Sequence, residues 1–258
     1  MSGKRVLLLR PAHQAPATAE AVRARGAEPI VFPAIEIDDP PEPGRMDRTL
    51  RALRGYDWVL FTSANGVERT VHALRRLGLD TSALRAVQIG VIGPRTAQAL
   101  QAHGLQAQLV AEKYVAEALG HALLDRGPVR RVLLLRALEA REVLPHMLVD
   151  AGVEVEVVPV YQTRSVPFER GSELVRLLEQ QRPDAVIFTS SSMVVAVHEL
   201  LGKRSPELLE TSLVASIGPI TSATARELGI AVDVEARSHT VEGVLDELEK
   251  KLAGGEAE

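Results

Sequence analysis

The residues best suited to chemistry in this chain are small and polar, and they sit where apolar runs break. Asp57 to Glu68 reads DWVLFTSANGVE. Trp58, Val59, Leu60 and Phe61 form a continuous apolar run, the mark of a strand buried on both faces. Thr62, Ser63, Ala64, Asn65 and Gly66 interrupt it, and a helical pattern follows with Val67, Val71 and Leu74 on one side. A strand, a tight turn and a helix start leave backbone N–H groups pointing outward, where the helix dipole favours an anion. In isolation this would be an ordinary helix start.

The turn has company. FTS returns at Phe188-Thr189-Ser190, followed by Ser191 and Ser192. VLLLR occurs at Val6 to Arg10 and again at Val132 to Arg136. Ile92-Gly93-Pro94-Arg95-Thr96 is echoed by Ile217-Gly218-Pro219-Ile220-Thr221, and Val71-His72-Ala73-Leu74 by Val197-His198-Glu199-Leu200. The offsets stay near about 125 to 127 positions, far longer than a solenoid repeat, so they indicate two copies of a whole domain.

Several chemistries find no support. GxGxxG and GxxxxGK[ST] are absent, and the glycines at 90 and 93 have the wrong spacing for a dinucleotide fingerprint. No GxSxG marks a hydrolase elbow. The seven histidines are scattered without metal-binding spacing, and there is no cysteine to serve as nucleophile, disulfide or ligand. The expectation is therefore no metal and no cofactor. Thirty basic and 34 acidic residues give a net charge of −4, which argues against a general nucleic-acid binder. An anionic ligand would have to be held by local donors. MSGKRVLLLR continues into a strand instead of forming a signal peptide, and no apolar stretch is long enough to span a membrane. A cytoplasmic location is expected.

Strand and helix patterns alternate through all 258 residues, which predicts parallel sheets covered on both faces, in five-stranded flavodoxin-like units. Pro29 to Ile37 reads as a second strand whose Pro33 makes it an edge or takes it out of the sheet. The spacing predicts helices over Met46–Arg54, Tyr114–Leu124, Glu139–Asp150 and Glu173–Gln181. It predicts short strands over Gln106–Val110 and Ala231–Glu235, and a disordered tail, GGEAE. Proline-bearing linkers at Asp38–Gly44 and Arg164–Gly171 follow the second strand of each copy. Either each copy folds by itself, or the chain crosses over and each domain takes strands from both copies. The paired linkers favour the crossing.

In open parallel sheets, ligands bind at the carboxyl ends of the strands. Ser63, Ala64 and Asn65 with Gly93, Arg95 and Thr96 would serve one edge. Ser190, Ser191 and Ser192 with Gly218 and Thr221 would serve the other. Such edges suit a ligand with several carboxylates or phosphates. Arg10, in the exit loop of the first strand, and His239 and Thr240 are counted with these binding candidates.

Taken in order, these features resemble the uroporphyrinogen-III synthase family. The similar stretches are FTSANGV at 61–67, IGPRTAQAL at 92–100, VPVYQT at 158–163, IGPITSATARELG at 217–229 and HTVEGVLDEL at 239–248. The resemblance covers nearly the whole chain, and the ordered set is more specific than any one motif. It implies two flavodoxin-like α/β domains from an internal duplication, joined by a two-stranded linker. Residues 1–38 plus 165–258 would form one domain and 39–164 the other. It implies cyclisation of hydroxymethylbilane, a linear tetrapyrrole with eight carboxylates, to uroporphyrinogen III. Water is lost and the last pyrrole ring is inverted through a spiro intermediate. No cofactor is implied. The protein would act as a monomer, with transient contact to the preceding pathway enzyme. The family's recurrent catalytic candidate is the tyrosine of the VYQT-like strand, here Tyr161. Its counterpart in the first copy is Ile35 or Glu36, so the repeat itself does not require a tyrosine there. The alternative is a two-domain α/β small-molecule binder without enzymatic activity, of the periplasmic type.

Overall fold

The computed structural model describes residues 1–113 and 115–254. The expected helix start at Tyr114 and all of the GGEAE tail except Gly254 lie outside the described residues. Contacts divide the chain into two compact units, Met1–Ile37 with Arg164–Glu258, and Asp38–Thr163.

The first unit holds a five-stranded sheet. Its strands are β1 (Arg5–Leu8), β2 (Glu28–Val31), β9 (Ala185–Phe188), β10 (Leu213–Ser216) and β11 (Val234–Glu235), in the order β11-β10-β9-β1-β2. β1 pairs in parallel with β2 and β9, and β10 with β9 and β11. The strand expected over Pro29–Ile37 is split at Pro33: β2 ends at Val31 on the edge of this sheet, and Ile35–Asp38 forms a strand on the edge of the other sheet. Helices α1 (Ala15–Arg23), α7 (Gly171–Arg176), α8 (Ser191–Leu201), α9 (Ser205–Leu209), α10 (Pro219–Glu227) and α11 (Val241–Gly254) accompany this sheet. Leu7, Val186 and Phe188 pack into one core, while Val6, Leu8, Ala185 and Ile187 pack into another. Alternate residues of one strand thus feed two cores, which is why these strands read as unbroken apolar runs.

The second sheet contains β3 (Ile35–Asp38), β4 (Trp58–Phe61), β5 (Gln88–Val91), β6 (Leu109–Val110), β7 (Arg131–Ala137) and β8 (Glu154–Ser165), in the order β3-β8-β7-β4-β5-β6. β4 pairs in parallel with β5 and β7, β5 with β6, and β7 with β8. Its helices are α2 (Pro43–Arg51), α3 (Ala64–Arg76), α4 (Pro94–Ala102), α5 (Ala116–Leu124) and α6 (Val143–Asp150). Counted from β7, the order of β7, β8, β4, β5 and β6 is the flavodoxin-like 2-1-3-4-5, and β1, β2, β9, β10 and β11 follow the same order in the first unit.

Local chemistry shifts several expected boundaries. α2 starts at Pro43, since proline at a first helical position gives up no hydrogen bond, and it ends at Arg51 before a separate 3₁₀ turn, Leu53–Gly55. The expected strands at 106–110 and 231–235 shrink to β6 and β11. Gln108 Oε1 accepts the Ile89 N–H at 2.7 Å and Asp233 Oδ2 accepts that of Val214 at 2.8 Å, so side chains take over ladder positions there. The helix expected over Glu173–Gln181 gives way after Arg176 to a π-helical turn, Leu177–Gln181, closed by Arg182 with φ of 43°. The helix expected from Glu139 begins only at Val143.

Asp57 ties β4 to β7. One carboxylate oxygen accepts the N–H groups of both Arg130 and Arg131, each at 2.9 Å. These bonds, Arg131's first, hold the Asp57 carboxyl below the usual carboxylate range. A depressed folded pKa contributes stability that is present above the ordinary value and lost as pH falls through the folded one. Asp57→Asn should therefore unfold at lower urea than the parent at neutral pH, with the gap closing in acid as the pH falls below the depressed folded value. Equal gaps at both pH values would show that the charge contributes nothing.

Candidate functional site at a sheet edge

The site grows from the end of β4. Ser63 is extended, with φ of −156° and ψ of 155°, and caps α3 by accepting the Gly66 N–H on Oγ at 3.1 Å. The capping bond fixes the hydroxyl at the carboxyl edge, and the N–H groups of the first helical turn have no acceptor within the helix. Ser63, Ala64 and Asn65 are all partly exposed.

Tyr161 comes to this turn from two strands away. β7 lies between β4 and β8, so the tyrosine must reach across the end of β7. The residue paired with it there is Ala137, whose small side chain leaves the passage open. The ladder is irregular at this point: Arg136 pairs with Pro159 and Ala137 with Tyr161, so β8 carries one extra residue. Such a bulge re-aims the side chains beyond it. Val160, the extra residue, and Tyr161 are both buried.

The Tyr161 hydroxyl lies 3.0 Å from Ser63 Oγ, and either oxygen can donate. Tyr161 is 7% exposed. Burial pushes its phenol above the usual tyrosine value; the Ser63 hydrogen bond works against that, the Glu139 charge adds to it, and an Asn65 side-chain bond opposes it. A second tyrosine gives a contrast. Tyr56 stands ahead of β4, at the amino end of the sheet, and donates to Glu156. Its phenol is also raised, by burial first, but its proton is committed to a carboxylate.

The other expected residues of this unit start α4. Gly93 is extended at the cap, Pro94 occupies the first helical position, and the Thr96 N–H is taken by Gly93 O at 3.1 Å. Arg95 is exposed and Thr96 buried.

The first unit's carboxyl edge has a different character. Ser190 caps α8, accepting the Met193 N–H at 3.4 Å, and its Oγ lies 2.9 Å from that of Ser192. Ser191 Oγ donates to Ile220 O at 3.4 Å, which brings the starts of α8 and α10 together. Gly218 caps α10, and a Cβ there would stand 2.8 Å from His239 Cδ2, so glycine lets the imidazole lie against the turn. Thr221 is buried, and Thr240 Oγ1 caps α11 by accepting the Gly243 N–H at 3.0 Å. Arg10 is 5% exposed and donates to Thr18 Oγ1 and Gln14 Oε1 on its own side of the sheet.

The structure therefore brings Ser63, Asn65 and Tyr161 into one cluster, and Ser191 beside Ile220, next to Thr221. Among the described residues, no group of three or more His, Asp or Glu is close enough to hold a metal, and no helix is long and apolar enough to cross a membrane. Sequence reasoning missed Leu138 and Glu139, which follow β7 and bond to the strand end carrying Tyr161. The only signal in the sequence was the repeated VLLLR ending at Arg136.

Parallel strands in the order 2-1-3-4-5, with helices between them, make each unit a doubly wound α/β fold. Comparison with known proteins agrees and goes further. The sequence model described as "Uroporphyrinogen-III synthase HemD" matches residues 16–246. A uroporphyrinogen-III synthase of Synechococcus elongatus is 32% identical over 96% of this chain and 95% of that protein. Uroporphyrinogen III synthase structures share the fold: a Thermus thermophilus mutant at TM-score 0.68 and 22% identity over 98% of this chain and 100% of that one, and the Helicobacter pylori enzyme at 0.64 and 21% over 98% and 100%. The chain belongs to the uroporphyrinogen-III synthase family. That family is one of cyclising lyases in tetrapyrrole biosynthesis.

Proposed function

We propose that the chain cyclises hydroxymethylbilane to uroporphyrinogen III, with Tyr161 as the proton donor to the departing hydroxyl. The 3.0 Å contact between Tyr161 and Ser63 carries this reading. A hydroxyl has one proton and two acceptor positions. Ser63 already accepts from Gly66, so its proton can point at the phenol oxygen and leave the Tyr161 proton for the substrate. The same hydrogen bond steadies the phenolate that forms as the proton is transferred.

The reaction asks mainly for geometry. The pyrrole nitrogen electrons help expel the hydroxyl, and the chain ends must be held together while the last ring inverts. Carboxylates of the substrate are read here as ligands of backbone N–H groups at Ser63–Asn65, Gly93–Thr96, Ser190–Ser192 and Gly218–Thr221, with His239, Thr240 and Arg10 nearby in sequence or fold. Helix starts suit anions without a basic surface, which fits the net charge of −4. The reading extends to an internal duplication in which each unit takes strands from both copies, to a two-stranded linker, to a cytoplasmic monomer, and to transient contact with the preceding enzyme.

The test is direct. Hydroxymethylbilane added to the protein and then oxidised should yield the type III isomer, whereas spontaneous closure gives type I. Type I alone, at the spontaneous rate, would leave the non-enzymatic binder as the better reading.

A further inference from the structure

Where the sequence pattern predicts a helix from Glu139, the chain instead forms a loop, and a buried arginine accounts for it. Arg136 is 5% exposed at the end of β7. Its Nη1 donates to Ala140 O at 3.1 Å and Arg141 O at 2.8 Å, and its Nη2 to the Glu142 carboxylate. A planar guanidinium holds its donors in a rigid, spread fork, so it fixes the relative positions of three acceptors of one loop, which the compact, rotatable ammonium of lysine does not do. The loop in turn grips β8. Leu138 donates its N–H to Tyr161 O at 2.9 Å, and Glu139 Oε2 accepts the Thr163 N–H at 3.2 Å. Tyr161 is thus held through its own carbonyl and through the residue two further on. β7 ends at Ala137, so Leu138 and the Glu139 carboxylate continue its ladder beyond the last strand residue.

We propose that Arg136 is a positioning residue: it shapes the Leu138–Glu142 loop so that the loop fixes the strand end from which Tyr161 reaches Ser63. The proposal rests on the reading of Tyr161 as proton donor. The repeated position in the first unit serves another purpose, since Arg10 donates to Thr18 and Gln14.

The experiment is a double-mutant cycle in the full chain with hydroxymethylbilane. Arg136→Lys keeps the charge but loses the fork; Glu139→Ala cuts the grip on Thr163 from an exposed position, with little risk to folding. Each should lower kcat by about three- to tenfold with KM within about twofold, because misplacing a catalytic group costs rate rather than affinity. In a Tyr161→Phe background both should cost less than about twofold, since the group they position is gone. Losses that multiply undiminished in that background would make Arg136 a stability residue and overturn the proposal, as would kcat within about twofold of wild type in both single variants. If Tyr161→Phe is itself silent, the proton-donor reading falls, and this proposal with it. A slow Tyr161→Phe with undiminished Arg136 losses would sink only this one.

Discussion

Tyr161→Phe is expected to fold as the parent does, to make the type III isomer still, and to turn over about 10- to 100-fold more slowly. Folding should survive because the ring stays buried and Ser63 keeps the Gly66 N–H as a partner, so neither side chain strands a buried polar group. Isomer choice should survive because the inversion depends on holding the chain ends, which the phenol does not do alone. The rate should fall because hydroxide is a poor leaving group without a proton. General acids supply about 10²–10⁴-fold, and assistance from the pyrrole nitrogen places the effect at the low end. The pH profile separates this role from packing. Burial raises the phenol above its ordinary value, so it is fully protonated at neutral pH, and wild-type activity carried by this group should fall only as the pH rises through that elevated value. Tyr161→Phe should lack that alkaline fall. A rate within about twofold of wild type would demote Tyr161 to packing and leave binding geometry as the whole of catalysis.

Much of the architecture was legible because burial on two faces writes itself into sequence. Trp58–Phe61 and Ala185–Phe188 are unbroken apolar runs, and each is followed by a serine that caps the next helix. Those serines are local features, so the turn, cap and helix could all be read from neighbours in the chain. The site's assembly could not. Ser63 and Tyr161 are 98 positions apart, and their meeting depends on a small residue at Ala137 and an extra residue in β8, neither of which leaves a periodic trace. Only the family resemblance singled out Tyr161. The start of α6 was misplaced for a related reason. Glu139, Ala140, Arg141 and Glu142 are good helix formers, but Arg136 claims the carbonyls of Ala140 and Arg141, and tertiary contact overrides propensity. Arg10 shows the reverse ambiguity. An arginine at a strand exit reads like a ligand for an anion, and nothing in the sequence announces that it is buried and donates to α1 and the turn before it.

Backbone donors can be tested separately from side chains, because proline is tolerated at the first position of a helix. Ser191 and Ala64 occupy that position in α8 and α3. The residues before them, Ser190 with ψ of 156° and Ser63 with ψ of 155°, are already extended, as a residue preceding proline prefers. α4 and α10 begin with Pro94 and Pro219, so this fold accommodates the arrangement twice already. Ser191→Pro and Ala64→Pro should therefore each delete one outward N–H and leave circular dichroism and melting close to wild type. A hydrogen bond to a charged group contributes about 1.5–3 kcal/mol, so each should raise KM by about 10- to 100-fold if the N–H holds a substrate carboxylate. Ser191→Ala is the control at the same position. It loses only a 3.4 Å contact to Ile220 O and keeps the N–H, so its KM should stay within about twofold. Ser63→Ala cannot serve that purpose, since it would remove the α3 cap and the Tyr161 contact together. If Ser191→Pro and Ser191→Ala behave alike, with KM near wild type in both, the N–H at that helix start does not touch the substrate. The same result for Ala64→Pro would take the carboxylates off the starts of α3 and α8 and leave the starts of α4 and α10, or the exposed Arg95 side chain, to hold them.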